Sequence, residues 1–228
     1  MNPNITLTMT PAGVEFVIKA LRAAAPLPDP NVDAFVAERT SEDGTWPPSY
    51  AQIVGTVHAQ ATAHDYVLTA AGGLPGELNI NWLSKGVATF DCEYGFSCMG
   101  YEISGAWGAA MARPHGEVFA MVGDGSYLMM NSDIYASVLS GHKMILVVCD
   151  NEGYAVIERL QTNQGGASYN NMLADSVGTG TDARVDFAAH AASMGAVTFE
   201  VHSLAEFADA LEALLDLRLQ LEIGRAHV

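Results

Sequence analysis

Met121-Val-Gly-Asp-Gly-Ser-Tyr-Leu-Met-Met130 and Cys149-Asp-Asn-Glu-Gly-Tyr154 are the two stretches on which the fold turns. Each begins at the end of an apolar strand and runs into a glycine-bearing turn rich in oxygen donors. Asn151 follows Asp124 by 27 residues (151 − 124), room for a turn, a helix and a return strand. Such a unit brings the chain back parallel to itself, so both turns emerge side by side at one edge of a parallel sheet. A carboxylate and an amide oxygen held there suit a hard divalent cation such as Mg2+, which takes oxygen ligands and usually completes its shell with phosphate. A Gly-Asp-Gly turn alone would be an ordinary turn. Joined to Asn151 and Gly153 at this interval, it reads as a cradle for a metal-bridged diphosphate.

Working outward, apolar strands alternate with helices. Ser49-x-x-Gln52 is a capping-box start for a helix carrying Ile53, Val54 and Val57. Tyr66–Ala70 reads as a strand ending in Gly72-Gly73, Gly100–Ala112 as a small-residue helix, and Val118–Val122 as the strand feeding the first turn. Ser132–Ser140 is a helix, Met144–Cys149 a strand, Asp186–Met194 a helix and Ala196–Val201 a further strand. Ser203-x-x-Glu206 then caps a last helix with Leu204, Phe207, Leu211 and Leu214 on one face. The pattern predicts an α/β fold, a parallel sheet with helices on both faces.

Before this region, Thr10-Pro11 opens an amphipathic helix through Val14, Val17, Ile18 and Leu21. Ala25–Trp46, with Pro26, Pro28 and Pro30, reads as a linker holding one short helical piece over Val32–Arg39. The domain expectation is therefore residues 1–47 as the end of a preceding domain plus linker, and 48–222 as the ligand-binding domain. Ile223-Gly-Arg-Ala-His-Val228 breaks the final helix and matches the in-frame translation of a DNA sequencing adapter, so the fold is expected to end near Glu222.

Composition narrows the function. The net charge of −16, with only 10 Lys and Arg, leaves too few cations to neutralise a nucleic acid backbone. An acidic chain can hold an anion only by local means: a metal ion, helix N-termini and backbone N–H groups. No apolar run is long enough to span a bilayer and no basic-then-apolar leader opens the sequence. Three cysteines, Cys92, Cys98 and Cys149, do not make a disulfide framework, and the expectation is a cytoplasmic protein.

The candidate residues follow from their chemistry. Asp124 and the side-chain oxygen of Asn151 would ligate the cation together with the Gly153 carbonyl. Gly123 and Gly125 would let the backbone approach a phosphate, and Ser126 would donate from its hydroxyl and N–H. Asp150 and Glu152 read as turn or supporting carboxylates. In the segment Glu93-Tyr-Gly-Phe-Ser-Cys-Met-Gly-Tyr101, the glycines allow a loop to lie flat on a ligand, and Met99 offers a polarizable face to an aromatic ring. Cys98 has no identifiable base to make it a nucleophile. The seven histidines show no metal-ligand spacing, and His142 reads as structural.

Gly123-Asp-Gly125 followed by Asp150-Asn151 resembles the cofactor motif of thiamine-diphosphate-dependent enzymes, which begins with Gly-Asp-Gly and ends with Asn-Asn. The first Asn is Asp150 here, and the ligating position is kept as Asn151. Phe96-Ser-Cys-Met-Gly-Tyr101 is similar to the loop from which these enzymes push a bulky apolar residue under thiamine, with Met99 in that place. Three blocks, Glu93–Ala106, Val122–Asp133 and Ala70–Leu78, look like the branch that hydrolyses trihydroxycyclohexane-1,2-dione in inositol catabolism.

The resemblance implies thiamine diphosphate and Mg2+ as cofactors, with Gly72, Gly73, Ser97, Cys98, Met99, Gly123, Gly125, Ser126 and Tyr154 around the organic cofactor. It implies hydrolysis of the bond between the two carbonyl carbons of a cyclic 1,2-diketone, giving 5-deoxy-glucuronate. The thiazolium carbon supplies the covalent chemistry and the protein supplies orientation. The glutamate that activates thiamine is expected from a pyrimidine-binding domain of a neighbouring subunit, so a homo-oligomer is expected, with this chain as an inactive half-site. Acetolactate synthase-like and 2-oxo-acid decarboxylase relatives remain the alternative enzymes. A non-catalytic nucleotide module is the other class, but its Gly-x-Gly-x-x-Gly signature is missing around Ala70–Gly76.

Overall fold

A computed structural model of the protein describes residues 30–176 and 184–217. The expected helix after Thr10, the start of the proline-rich linker and the tail from Ile223 lie outside those residues. The chain divides into two compact units between Phe35 and Val36. The sheet and the candidate site lie in the second.

Helix α1 (Pro30–Thr40) and helix α2 (Tyr50–Gln60) precede the sheet. The capping box at the start of α2 is complete. The Ser49 hydroxyl accepts from the Gln52 N–H, and the Gln52 side chain accepts from the Ser49 N–H. Strands β1 (Tyr66–Thr69), β2 (Phe90–Cys92), β3 (Val118–Gly123) and β4 (Ile145–Cys149) form one parallel sheet in the order β2-β1-β3-β4. The connecting helices are α3 (Leu74–Asn81), α4 (Tyr101–Ala112), α5 (Asp124–Met130), α6 (Ser132–Ser140), α7 (Ala155–Asn163), α8 (Phe187–Ser193) and α9 (Leu204–Asp216).

Alternation along the strands explains the two covered faces. Val67, Phe119, Met121, Ile145 and Val147 pack with Val54 and Val57 of α2, Leu74 and Leu78 of α3, and Leu211 of α9. Leu68, Val118, Ala120 and Val122 point the other way, toward Ile103 and Ala106 of α4, Tyr127 of α5 and Ile134 of α6. Phe187 and Ala191 of α8 close that second face. β3 is buried along nearly its whole length because both its sides are covered, as its unbroken apolar sequence requires.

Four elements escaped the sequence pattern: β2, α3, α7 and α5, which begins at Asp124 where only a turn was expected. β2 is three residues long and α3 is rich in Asn and Gly, so neither carries a clear period, whereas α7 is amphipathic in sequence yet buries none of its residues. The only overt sign of α3 is Pro75 in its first turn, where the missing N–H has no helical partner to lose.

The expected strand at Ala196–Val201 is not one. The segment has the alternating apolar pattern, yet Val197 and Phe199 stay 60% and 48% exposed. It forms one wall of a cleft of about 1200 Å³ whose other wall is Ile145–Val148. The segment faces the outer edge of β4 across this space and makes no ladder with it, and pattern without a paired neighbour is not a strand.

From β1 the chain moves outward to β2, then crosses back to the opposite side of β1 to lay down β3. That reversal makes a crevice between β1 and β3 at their carboxyl ends, where open α/β sheets bind ligands. The loops after β1, β2, β3 and β4 all open at this edge.

Candidate active site at the carboxyl edge of the sheet

Register brings the two signature turns together. Gly123 pairs with Cys149 at the ends of β3 and β4, so Asp124 and Asp150 leave the sheet side by side. Asp124 begins α5, is buried, and its Oδ2 accepts the Gly153 N–H at 2.8 Å. Burial pushes its carboxyl above the ordinary aspartate range, and the neighbouring Asp150 pushes it the same way. The N–H groups of Gly153 and Gly125 pull it back. A carboxylate so placed is an unfavourable anion until a cation joins it.

Asn151 completes the picture. Its Nδ2 donates to the Tyr50 hydroxyl at 2.6 Å, with Oδ1 turned to the other side. Its Oδ1 is buried and has no partner. Buried acceptors are rarely left empty, because the lost hydration is not returned. Tyr50 was not foreseen as a site residue. It sits on the first turn of α2, far away in sequence, and nothing near it marks chemistry.

The loop from Asn151 to Tyr154 is held by its own backbone. Glu152 has φ +63° and Gly153 has φ +147°. The Tyr154 N–H donates to Asn171 O and the Leu173 N–H to Glu152 O, at 2.8 and 2.7 Å. The two remaining carboxylates are turned to other work. Asp150 accepts the Glu152 N–H at 2.9 Å, and Glu152 pairs with Arg184.

Above Asp124, a Cβ on Gly125 would lie 2.6 Å from the Tyr154 ring and 3.3 Å from Met99 Cε. Gly125, Tyr154 and Met99 therefore converge, and only glycine fits between them. Ser126 is buried beside them. Across the crevice, Gly72 has φ +84° and Gly73 is the N-cap of α3, against the Tyr50 ring.

The Met99 loop is shaped by two glutamates. Glu93 accepts the Phe96 and Cys98 N–H groups, and those bonds hold its carboxyl below the usual range. Ser97 takes φ +51° in the same tight loop. Desolvation and the Glu93 carboxylate raise the Cys98 thiol, so it stays protonated. Glu102, fully buried on the first turn of α4, accepts from Ala71 and Gly100. Burial raises its carboxyl, while those N–H groups and the Ser126 hydroxyl oppose the rise. Neither glutamate is free to serve as an acid or base on a ligand.

Among the described residues no group of three or more His, Cys, Asp or Glu is placed to hold a metal. Any cation at this edge would have to rely on one carboxylate, an amide oxygen and main-chain carbonyls, with phosphate for the rest. That is a magnesium-type donor set, unlike a zinc site.

Residues 76–220 match the family model for the thiamine pyrophosphate enzyme C-terminal TPP binding domain. The chain belongs to the thiamine pyrophosphate enzyme family. It is similar to proteins named 3D-(3,5/4)-trihydroxycyclohexane-1,2-dione hydrolase. The Bacillus thuringiensis and Bacillus cereus relatives are each 39% identical over 174 residues, and the Bacillus anthracis relative is 38% identical over the same length. Each match covers 74% of this chain but only 26% of the relative, so the chain spans about a quarter of the length of these relatives. The three cysteines are free, and no described helix is long and apolar enough to cross a membrane.

Proposed function

We propose that this domain holds Mg2+ and thiamine diphosphate for hydrolysis of the carbon–carbon bond between the carbonyls of trihydroxycyclohexane-1,2-dione. Asp124, Asn151 Oδ1 and the Gly153 carbonyl bind the cation. Gly123, Gly125 and Ser126 receive the diphosphate, with Gly72 and Gly73 along its other side. Met99 would offer the cofactor an apolar face, with Ser97, Cys98 and Tyr154 contributing to the same site. The observation that carries this reading is the buried, partnerless Oδ1 of Asn151, on a loop whose Gly153 is bonded to Asp124. The names of the relatives support the dione as substrate, and the match to residues 76–220 supports the cofactor.

When bound, thiamine diphosphate supplies a nucleophilic carbon and an electron sink that no side chain can offer. The chain's own part is to bind and to orient. Tyr50 turns the Asn151 amide so that its oxygen faces the cation. A cation beside Asp124 would offset the cost of burying its carboxylate. The glutamate that activates the cofactor would come from a pyrimidine-binding domain of a neighbouring subunit, since Glu93 and Glu102 spend both oxygens on loop N–H groups.

Titration calorimetry of thiamine diphosphate into the purified chain tests the binding half of the proposal. Heat of binding with Mg2+ and none with EDTA is expected; equal heats in both would remove the metal from the site. For the reaction, a polypeptide carrying this domain and a pyrimidine-binding domain should open the cyclic dione and leave pyruvate untouched. Pyruvate decarboxylation instead would move it to the 2-oxo-acid branch.

Tyr50→Phe probes the least obvious member of the set. It removes one hydrogen-bond acceptor and frees the Asn151 amide to rotate. Mg2+ affinity should fall on the order of tenfold, as for other outer partners of metal ligands. The fold should lose only about 1 kcal/mol. A fall in melting temperature with unchanged Mg2+ affinity would assign Tyr50 to packing alone.

A further inference from the structure

Glu102 is the most deeply buried carboxylate among the described residues, with no exposed surface. Its partners come from two different loops at the ligand edge. Oε1 accepts the Ala71 N–H at 3.1 Å, at the start of the turn that leads to Gly72 and Gly73. Oε2 accepts the Gly100 N–H at 2.9 Å, directly after Met99. Gly100 itself has φ +93° and packs against Met129 and Met130, so the loop meets α4 and α5 there.

A buried charge costs several kcal/mol unless every oxygen is satisfied, and an apolar residue of similar size would usually serve the fold as well. Its retention here needs a task that an apolar side chain cannot perform. A carboxylate offers two acceptor atoms and no donor, so it alone can receive an N–H on each side. The first turn of α4 adds the positive end of the helix dipole.

We propose that Glu102 is a positioning residue for the cofactor: its carboxylate ties the Ala71–Gly73 turn to the loop ending in Met99. It holds the two at the separation that bound thiamine diphosphate spans. This rests on the cofactor reading above and names the residue that sets the width of that site. The Glu93 N–H to Thr69 O bond ties the bases of the two loops, and beyond it no other described side chain bonds to both.

Glu102→Gln and Glu102→Met separate this from ordinary packing. Gln keeps one acceptor and presents an NH2 to the other N–H, so one of the two amides, Ala71 or Gly100, should lose exchange protection. Met keeps the volume and loses both acceptors, so both amides should exchange faster by roughly tenfold or more. Amides of β3 and β4 should be unchanged in each variant, and thiamine diphosphate affinity with Mg2+ should fall on the order of tenfold. Protection kept at both amides in the Met variant would overturn the clasp. So would protection lost evenly through β3 and β4, the mark of a merely structural residue. Wild-type affinity in the Met variant would overturn the positioning role while leaving the cofactor reading intact. A wild-type chain that binds no thiamine diphosphate with Mg2+ would sink the cofactor reading first and this proposal with it.

Discussion

Asp124→Ala should abolish Mg2+-dependent binding of thiamine diphosphate. The side chain is the one carboxylate among the proposed ligands, and a diphosphate entering a chain of net charge −16 needs a cation in between. Loss of even an outer partner costs 10–100-fold in metal affinity, so loss of the anionic ligand itself should cost at least on the order of 100-fold. Alanine also strands the Gly153 N–H, whose acceptor is Asp124 Oδ2. Asp124→Asn answers that objection. It keeps an oxygen for the Gly153 N–H and removes the charge, so the loop should stay in place while the metal is lost. Calorimetry with and without Mg2+ reads both variants. If Asp124→Asn binds Mg2+ as the native chain does, the metal assignment fails.

Gly153→Ala should be the most damaging single methyl group in the Asn151–Tyr154 loop. At φ +147° an L side chain is strained, and there is no space for it. The new Cβ would lie 2.4 Å from Asn171 O and 2.9 Å from Met172 Cα, both backbone atoms that cannot swing aside. Relief requires the strap from Asn170 to Leu173 to lift, which breaks the Tyr154-to-Asn171 and Leu173-to-Glu152 bonds. The cost should be about 3 kcal/mol or more, from backbone strain and lost hydrogen bonds together. Denaturant unfolding measures it directly. Asn151 and the Asp124 partner N–H travel with the same loop, so Mg2+ binding should weaken in the fraction that remains folded. A variant with native stability would show that the strap is not packed on Gly153.

The sequence disclosed most where one physical rule acts alone. β3 could be placed because a strand covered on both faces must be apolar throughout, and Val118–Val122 has no other explanation. The capping residues Ser49 and Ser203 marked helix starts because their hydroxyls satisfy N–H groups nearby in sequence. Ala196–Val201 went wrong for the converse reason: strand formation depends on a neighbour, and a local pattern says nothing about whether β4 comes within bonding distance. The site was legible in its chain-local part, Asp124 with its flanking glycines and Asn151 with Gly153. Its long-range parts were hidden. Tyr50 reaches Asn151 across 101 residues, and Glu102 reaches back 31 to Ala71. Neither contact leaves a trace in spacing or periodicity.

Asp124 stands one peptide bond beyond Gly123, the last rung shared by β3 and β4. The residues before that bond belong to the sheet core, and Asp124, Gly125 and Ser126 just after it, though buried, line the carboxyl edge. The most exposed tips, such as Tyr94 and Phe96, could be rewritten with the layers beneath untouched, since their side chains lie outside the core. The same division lets a chemist alter selectivity without first rebuilding the scaffold.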